Sequence, residues 1–123
     1  MNYYIIVKTG WIFAAQEFSA QLRERWPMIR IEELQDPSDS DILEFELPME
    51  KSKIHGSLNR EGSAIIFIGG FQDCSRFAQW CRSLIPPAEK VIFCDESMSI
   101  NFVLELSMTP EEIAQAARSS EQS

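Results

Sequence analysis

No stretch of this 123-residue chain approaches the ~18 consecutive apolar residues that a membrane span requires. Its first residues, Met1 to Val7, carry neither the basic start nor the long apolar core of a signal peptide, so they are expected to form a strand. Histidine is the scarcest chemical resource. His55 is alone, and a Ser-His or Cys-His mechanism would need it as base, with a nucleophile in reach and an acid to orient it. Ser57 lies two residues along and shares its strand face, but no nucleophile-elbow glycines surround it. The reading is a histidine on a solvated strand face.

Cysteine is also scarce. Cys74 and Cys81 stand seven residues apart, two turns along one helix face, and Cys94 sits in a strand. Structural zinc takes four ligands, typically in C-x2–4-C pairs. The cysteine spacing here is that of core packing, and an odd number of thiols in apolar surroundings suits a reduced, cytoplasmic setting better than a disulfide framework. Gly69-Gly70 precedes a helix, yet G-x-G-x-x-G and the phosphate-loop Lys-Ser pair are both missing. Asp73 would repel a phosphate there, and serves better as a first-turn acid. No cofactor, no metal and no catalytic centre are expected.

What is present is an ordinary globule, 45% hydrophobic and 24% charged. One α+β domain is expected over residues 1–118, with 119–123 as a disordered tail. Tyr3 to Lys8 reads as a strand, broken by Thr9-Gly10. Trp11, Ala15, Phe18, Leu22 and Trp26 recur at helical steps until Pro27 stops them. Met28 to Glu33 and Leu43 to Leu47 alternate apolar and polar residues, two half-wet strands, and Pro48 ends the second or places it at an edge.

Ile54 to Leu58 and Ala64 to Ile68 flank Asn59-Arg60-Glu61-Gly62-Ser63 as a hairpin. The second arm is apolar on both faces, which predicts a central position in the sheet. A helix from about Gln72 to Ser83 follows, closed by Pro86-Pro87. Val91 to Phe93 and Ile100 to Leu106 are the last strands. Thr109-Pro110-Glu111-Glu112 is a capping-box start for a helix to about Arg118. The order predicts a single mostly antiparallel sheet of about six to seven strands, two main helices packed on it, and a short C-terminal helix.

The charge is the informative total: a net −8. Between Ile31 and Glu50 stand eight acids and no Lys or Arg, leaving the other eleven of the nineteen acids to balance the eleven bases elsewhere. Such a surface repels nucleic acid and anionic lipid, so neither direct nucleic-acid binding nor membrane binding is expected, and it favours a basic protein partner. A charge run is ordinarily a solvated face, but surfaces made only for solubility intersperse both signs. The residues expected to meet a partner are Asp36, Asp39, Asp41, Glu44 and Glu46, with Trp80 beside them as an aromatic anchor, or alternatively as rim of the core. A catalytic reading of Glu44 and Glu46 would need a pocket to raise one carboxyl.

The second half of the chain resembles a family of bacterial immunity proteins from polymorphic toxin systems, those of contact-dependent growth inhibition and Rhs type. The residues that carry the likeness are Gly56-Ser57-Leu58-Asn59-Arg60, the run from Asp73 to Pro87, Val91-Ile92-Phe93-Cys94-Asp95-Glu96, and the Thr109 to Ile113 helix start. The resemblance leads one to expect Gly-Tyr after Asp95-Glu96, where this chain has Ser97-Met98. It implies a non-catalytic cytoplasmic protein, monomer or weak dimer, that neutralises one cognate toxin, with a nuclease and its basic cleft the natural target for carboxylates. Asp95 and Glu96 join the expected partner-binding set on the same ground. The competing expectation is a small-molecule-sensing α+β module with its ligand in a groove by Trp80.

Overall fold

A computed structural model describes residues 2–122. Seven strands make one sheet, all neighbours antiparallel, in the order β2-β3-β4-β5-β1-β6-β7. They are β1 (Tyr3–Val7), β2 (Arg30–Glu33), β3 (Asp41–Pro48), β4 (Lys53–Asn59), β5 (Ala64–Ile68), β6 (Val91–Asp95) and β7 (Asn101–Val103); the helices are α1 (Ala15–Arg25), α2 (Phe71–Ser83) and α3 (Pro110–Gln122). The fold is α+β as expected. β5, apolar on both faces, is the fourth of the seven strands.

Alternation along the strands sends one set of side chains to a helix-covered core. Leu43, Phe45 and Leu47 of β3 and Ile54 and Leu58 of β4 are buried there, under Phe18 and Leu22 of α1 and Phe77 and Cys81 of α2. Aromatic rings tie the layers: Phe77 lies 5.6 Å from Phe45 and 5.1 Å from Phe67, within the range where edge and tilted ring contacts are favourable. Gly56 is part of this fit, since any side chain there would run into the Phe45 ring. α3 packs beside α2 and over β7.

Two local outcomes differ from the expectations, and at Pro48 the first of two alternatives holds. α1 begins at Ala15, not Trp11. The Phe13 N–H donates to the Gly62 carbonyl at 2.8 Å, which holds the preceding segment extended along the β4–β5 turn, and Trp11 packs on Phe13. Pro48 closes β3, which is an internal strand, and β2 takes the edge. Finally, α3 does not stop at Arg118. It continues through Ser119 and Ser120 because Ser120 Oγ accepts from the Asn101 N–H at 2.9 Å, so the segment has something to pack on. Residue 123 lies outside the described residues.

Two arginines hold the irregular chain. Arg82 is buried at the end of α2, and its guanidinium donates to the carbonyls of Leu104, Ile85, Pro86, Pro87 and Glu89 at 2.8–3.4 Å. Burial pulls its pKa down, against the opposing pull of Glu105 and Glu89. Arg60 does the same for the turn after β2, donating to the carbonyls of Leu34, Asp36, Asp39 and Asp41. The capping box forms in both directions, Thr109 N–H to Glu112 Oε1 at 3.0 Å and Glu112 N–H to Thr109 Oγ1 at 3.1 Å.

Candidate functional site

The opposite face of the sheet has no second layer among the described residues. Register sets its side chains in cross-strand rows. One row crosses all seven strands as Glu32, Glu44, Ser57, Ile66, Tyr4, Cys94 and Asn101. A second runs Arg30, Glu46, His55, Ile68, and a third runs Ala64, Ile6, Ile92, Val103. The face is thus divided. Its β2–β4 part is charged, and its β5–β1–β6–β7 part is apolar, with Ile68 41% and Val103 40% exposed. A bare face of an antiparallel sheet is normally polar along every strand, so the apolar part is the anomaly.

A cleft of about 480 Å³ straddles the boundary, lined by Glu32, Glu44, Glu46, His55, Ser57, Ile66 and Ile68 among others. Within it the carboxylates are unequal. Glu46 gathers the nearby basic side chains: Arg30 at 3.3 Å, Lys53 at 3.5 Å and His55 Nδ1 at 3.7 Å. Glu32 and Glu44, directly opposite each other across β2 and β3, are exposed, and among the described residues no cation stands within ion-pair distance of either. Like charges placed so oppose folding.

The acid-rich window is therefore not one surface. Glu32, Glu44 and Glu46 lie on the bare face, while Glu33, opposite Leu43, belongs to the other face at the sheet edge. Asp36, Asp39 and Asp41 ring the β2–β3 turn around Arg60. The Asp36 carboxylate accepts from the Ser38 backbone N–H and hydroxyl, which, with Arg60 nearby, hold its pKa below the usual carboxylate value. Glu50 stands beyond the other end of β3, paired to Arg76 at 2.6 Å.

Trp80 belongs to neither group. It is half-buried in the helical layer, against Trp26 at 4.9 Å and Phe18 at 6.1 Å, so the sheet separates it from Glu44 and Glu46. It lines a second cleft of about 710 Å³ with Trp26, Arg25, Arg76, Met49 and Leu106. Asp95 is buried and occupied by its own turn, accepting from the Ile100 N–H at 3.1 Å and the Ser97 hydroxyl at 3.2 Å. Glu96 is exposed, with its carboxylate 3.5 Å from the Asn2 N–H. In that turn Met98 takes the left-handed conformation, φ +63°, at the second place of the expected Gly-Tyr pair.

All three cysteines are buried. Burial and the neighbouring Asp73 push the Cys74 thiol up to about 12, burial alone drives Cys81 well above its ordinary value, and burial with Asp95 raises Cys94. These thiols stay protonated near neutrality. Among the described residues no helix is long and apolar enough to cross a membrane.

The residues that carried the family resemblance hold the fold. Asn59 Oδ1 accepts from the Ser63 and Ala64 N–H groups, Arg60 and Arg82 organise loops, and Asp73 Oδ2 accepts from the Lys51 N–H and the Ser52 hydroxyl. What sequence reasoning missed is the apolar half of the bare face. The signal was available in Tyr4, Ile6 and Ile92, which make β1 and β6 apolar on both faces, as β5 is. No protein-family profile matches this chain, and neither does any curated protein or solved structure.

Proposed function

We propose that this chain is a binding protein that neutralises a cognate toxin domain made in the same cell, and that it meets that partner with the bare sheet face. The observation that carries the binding part is an antiparallel sheet face with apolar side chains on four adjacent strands and, among the described residues, no second layer over them. Contiguous exposed apolar surface with a polar rim marks an interaction site on a soluble domain. Glu32 and Glu44 lie on that rim and favour a basic partner, whose approach they would accelerate. The toxin part rests on the sequence resemblance to immunity proteins. In this reading no side chain performs chemistry, and His55 is a neighbour of Glu46, its Nδ1 3.7 Å from the carboxylate.

Co-expression of the chain with the protein encoded immediately upstream tests this. Relief of that protein's toxicity together with 1:1 co-purification is the expected result. An upstream product that is harmless and does not bind overturns the toxin reading.

A second reading has its own observation, the cleft between Trp26 and Trp80. Its volume lies within the ~300–1,000 Å³ of small-ligand pockets, and aromatic walls with a few polar groups are their usual lining. A low-molecular-weight compound that raises the melting temperature of the purified protein, and fails to do so in Trp80→Ala, would favour this sensing role.

A further inference from the structure

Resting on the protein-binding reading above, we infer that the bare face grips its partner by a two-part anchor: a Lys or Arg side chain of the partner seated between Glu32 and Glu44, and an apolar side chain beside it on Ile66, Ile68 and Tyr4. Directly opposed residues on neighbouring strands have Cβ atoms about 4.5–5.5 Å apart, so the two carboxylates repel at close range. The basic side chains of this region, Arg30, Lys53 and His55, converge on Glu46 in the next row, and among the described residues no ion pair reaches Glu32 or Glu44.

A cation from outside would remove the repulsion and gain two charge-assisted hydrogen bonds, a geometry the forked guanidinium of arginine suits best. The apolar field begins two strands away. From Glu44 across Ser57 to Ile66 is twice the strand spacing, about 10 Å, and the same cleft holds both carboxylates and both isoleucines. A partner that matched only the charges would leave Ile66 and Ile68 wet. One that matched only the apolar field would bury the carboxylates unpaired, which is costly. Each half therefore selects for the other.

The test uses the full chain, isotopically labelled for NMR, and three acetylated and amidated synthetic peptides: alternating Lys and Leu, alternating Lys and Ser, and alternating Glu and Leu. The Lys/Leu peptide is expected to shift the amides of Glu44, Ser57 and Ile66 and to bind at least tenfold more tightly than the other two. Its affinity is expected to fall at least tenfold in the Glu32→Gln/Glu44→Gln double variant and in Ile66→Ser. Should Ile66→Ser fail to fold, the more exposed Ile68→Ser takes its place. The double variant is further expected to melt at a higher temperature than the wild type, because the opposed charges are gone.

Equal binding of the Lys/Leu peptide by wild type and double variant overturns the proposal, as do shifts confined to the 36–41 turn or to the Trp80 cleft, or a lower melting temperature in the double variant. If the upstream protein co-purifies equally with wild type and double variant, the anchor is wrong and the toxin reading stands. If the peptide binds as stated and the upstream protein does not, the toxin reading falls and the anchor stands.

Discussion

Replacing Arg82 by Met is the sharpest test of what holds this fold together. Its guanidinium makes two short hydrogen bonds, 2.8 Å to the Ile85 carbonyl and 2.9 Å to the Leu104 carbonyl, and three longer ones of 3.3–3.4 Å. Hydrogen bonds to a charged group contribute about 1.5–3 kcal/mol each, and a buried acceptor left without a donor costs about 1–3 kcal/mol. Crediting the two short bonds in the lower half of that range, and the long ones with little, predicts a loss of about 3–5 kcal/mol. Methionine refills most of the volume, so the loss belongs to the polar atoms and not to a cavity.

Against a total stability of about 5–15 kcal/mol for a domain, the variant would be close to its threshold. For a chain of this size the loss corresponds to a fall in Tm of roughly 12–20 °C. Urea unfolding followed by circular dichroism measures it directly, with an unchanged slope to show that the variant unfolds from the same compact state. Arg82→Lys should recover only part of the loss, since an ammonium cannot reach carbonyls on both sides of the α2 terminus at once. A loss below about 1 kcal/mol in Arg82→Met would refute the reasoning, and would mean that water satisfies those carbonyls as well as the guanidinium does.

Two further outcomes can be measured with the same instrument. Met98→Gly is expected to stabilise the protein by about 0.5–1 kcal/mol, because Met98 holds a left-handed backbone that costs an L-residue about 1–2 kcal/mol and its exposed side chain gives up little packing; a destabilised variant would show that the Met98 side chain matters more than its backbone. Asp36 has its pKa depressed in the folded state, so its contribution is complete above the unfolded value of 3.8 and is lost as pH falls through the lower folded value. The urea midpoints of wild type and Asp36→Ala should therefore differ near neutrality and converge as the solution is taken well below pH 3.8. A gap that persists in strong acid would assign the difference to something other than the carboxylate.

Much of the fold could be read along the chain because the signals are local or periodic. The apolar run of β5 implied a central strand, and β5 does lie in the middle of the sheet, although only one of its faces is covered. The Thr109 to Glu112 pattern implied a capped helix, and both capping hydrogen bonds form. The start of α1 misled for a long-range reason: Trp11 matches the helical period, yet the Gly62 carbonyl claims the Phe13 N–H from the far hairpin. The end of α3 lies beyond Arg118 for the same kind of reason, because the hydrogen-bond partner of Ser120, Asn101, lies nineteen residues upstream.

The candidate site divides along the same line. The sequence by itself determined how many negative charges occupy the β2–β3 region and which strand positions alternate, because composition and a two-residue period need no knowledge of neighbours. Only the tertiary structure decided which of those charges matter. Strand register set Glu32 against Glu44 and brought Arg30, Lys53 and His55 to Glu46. Strand order put β5, β1 and β6 side by side, turning separate apolar positions into one patch, and the placement of the helices left that patch uncovered and set Trp80 on the other side. Coulombic pairing and surface contiguity depend on distances through space, and a linear chain carries those only after it has folded.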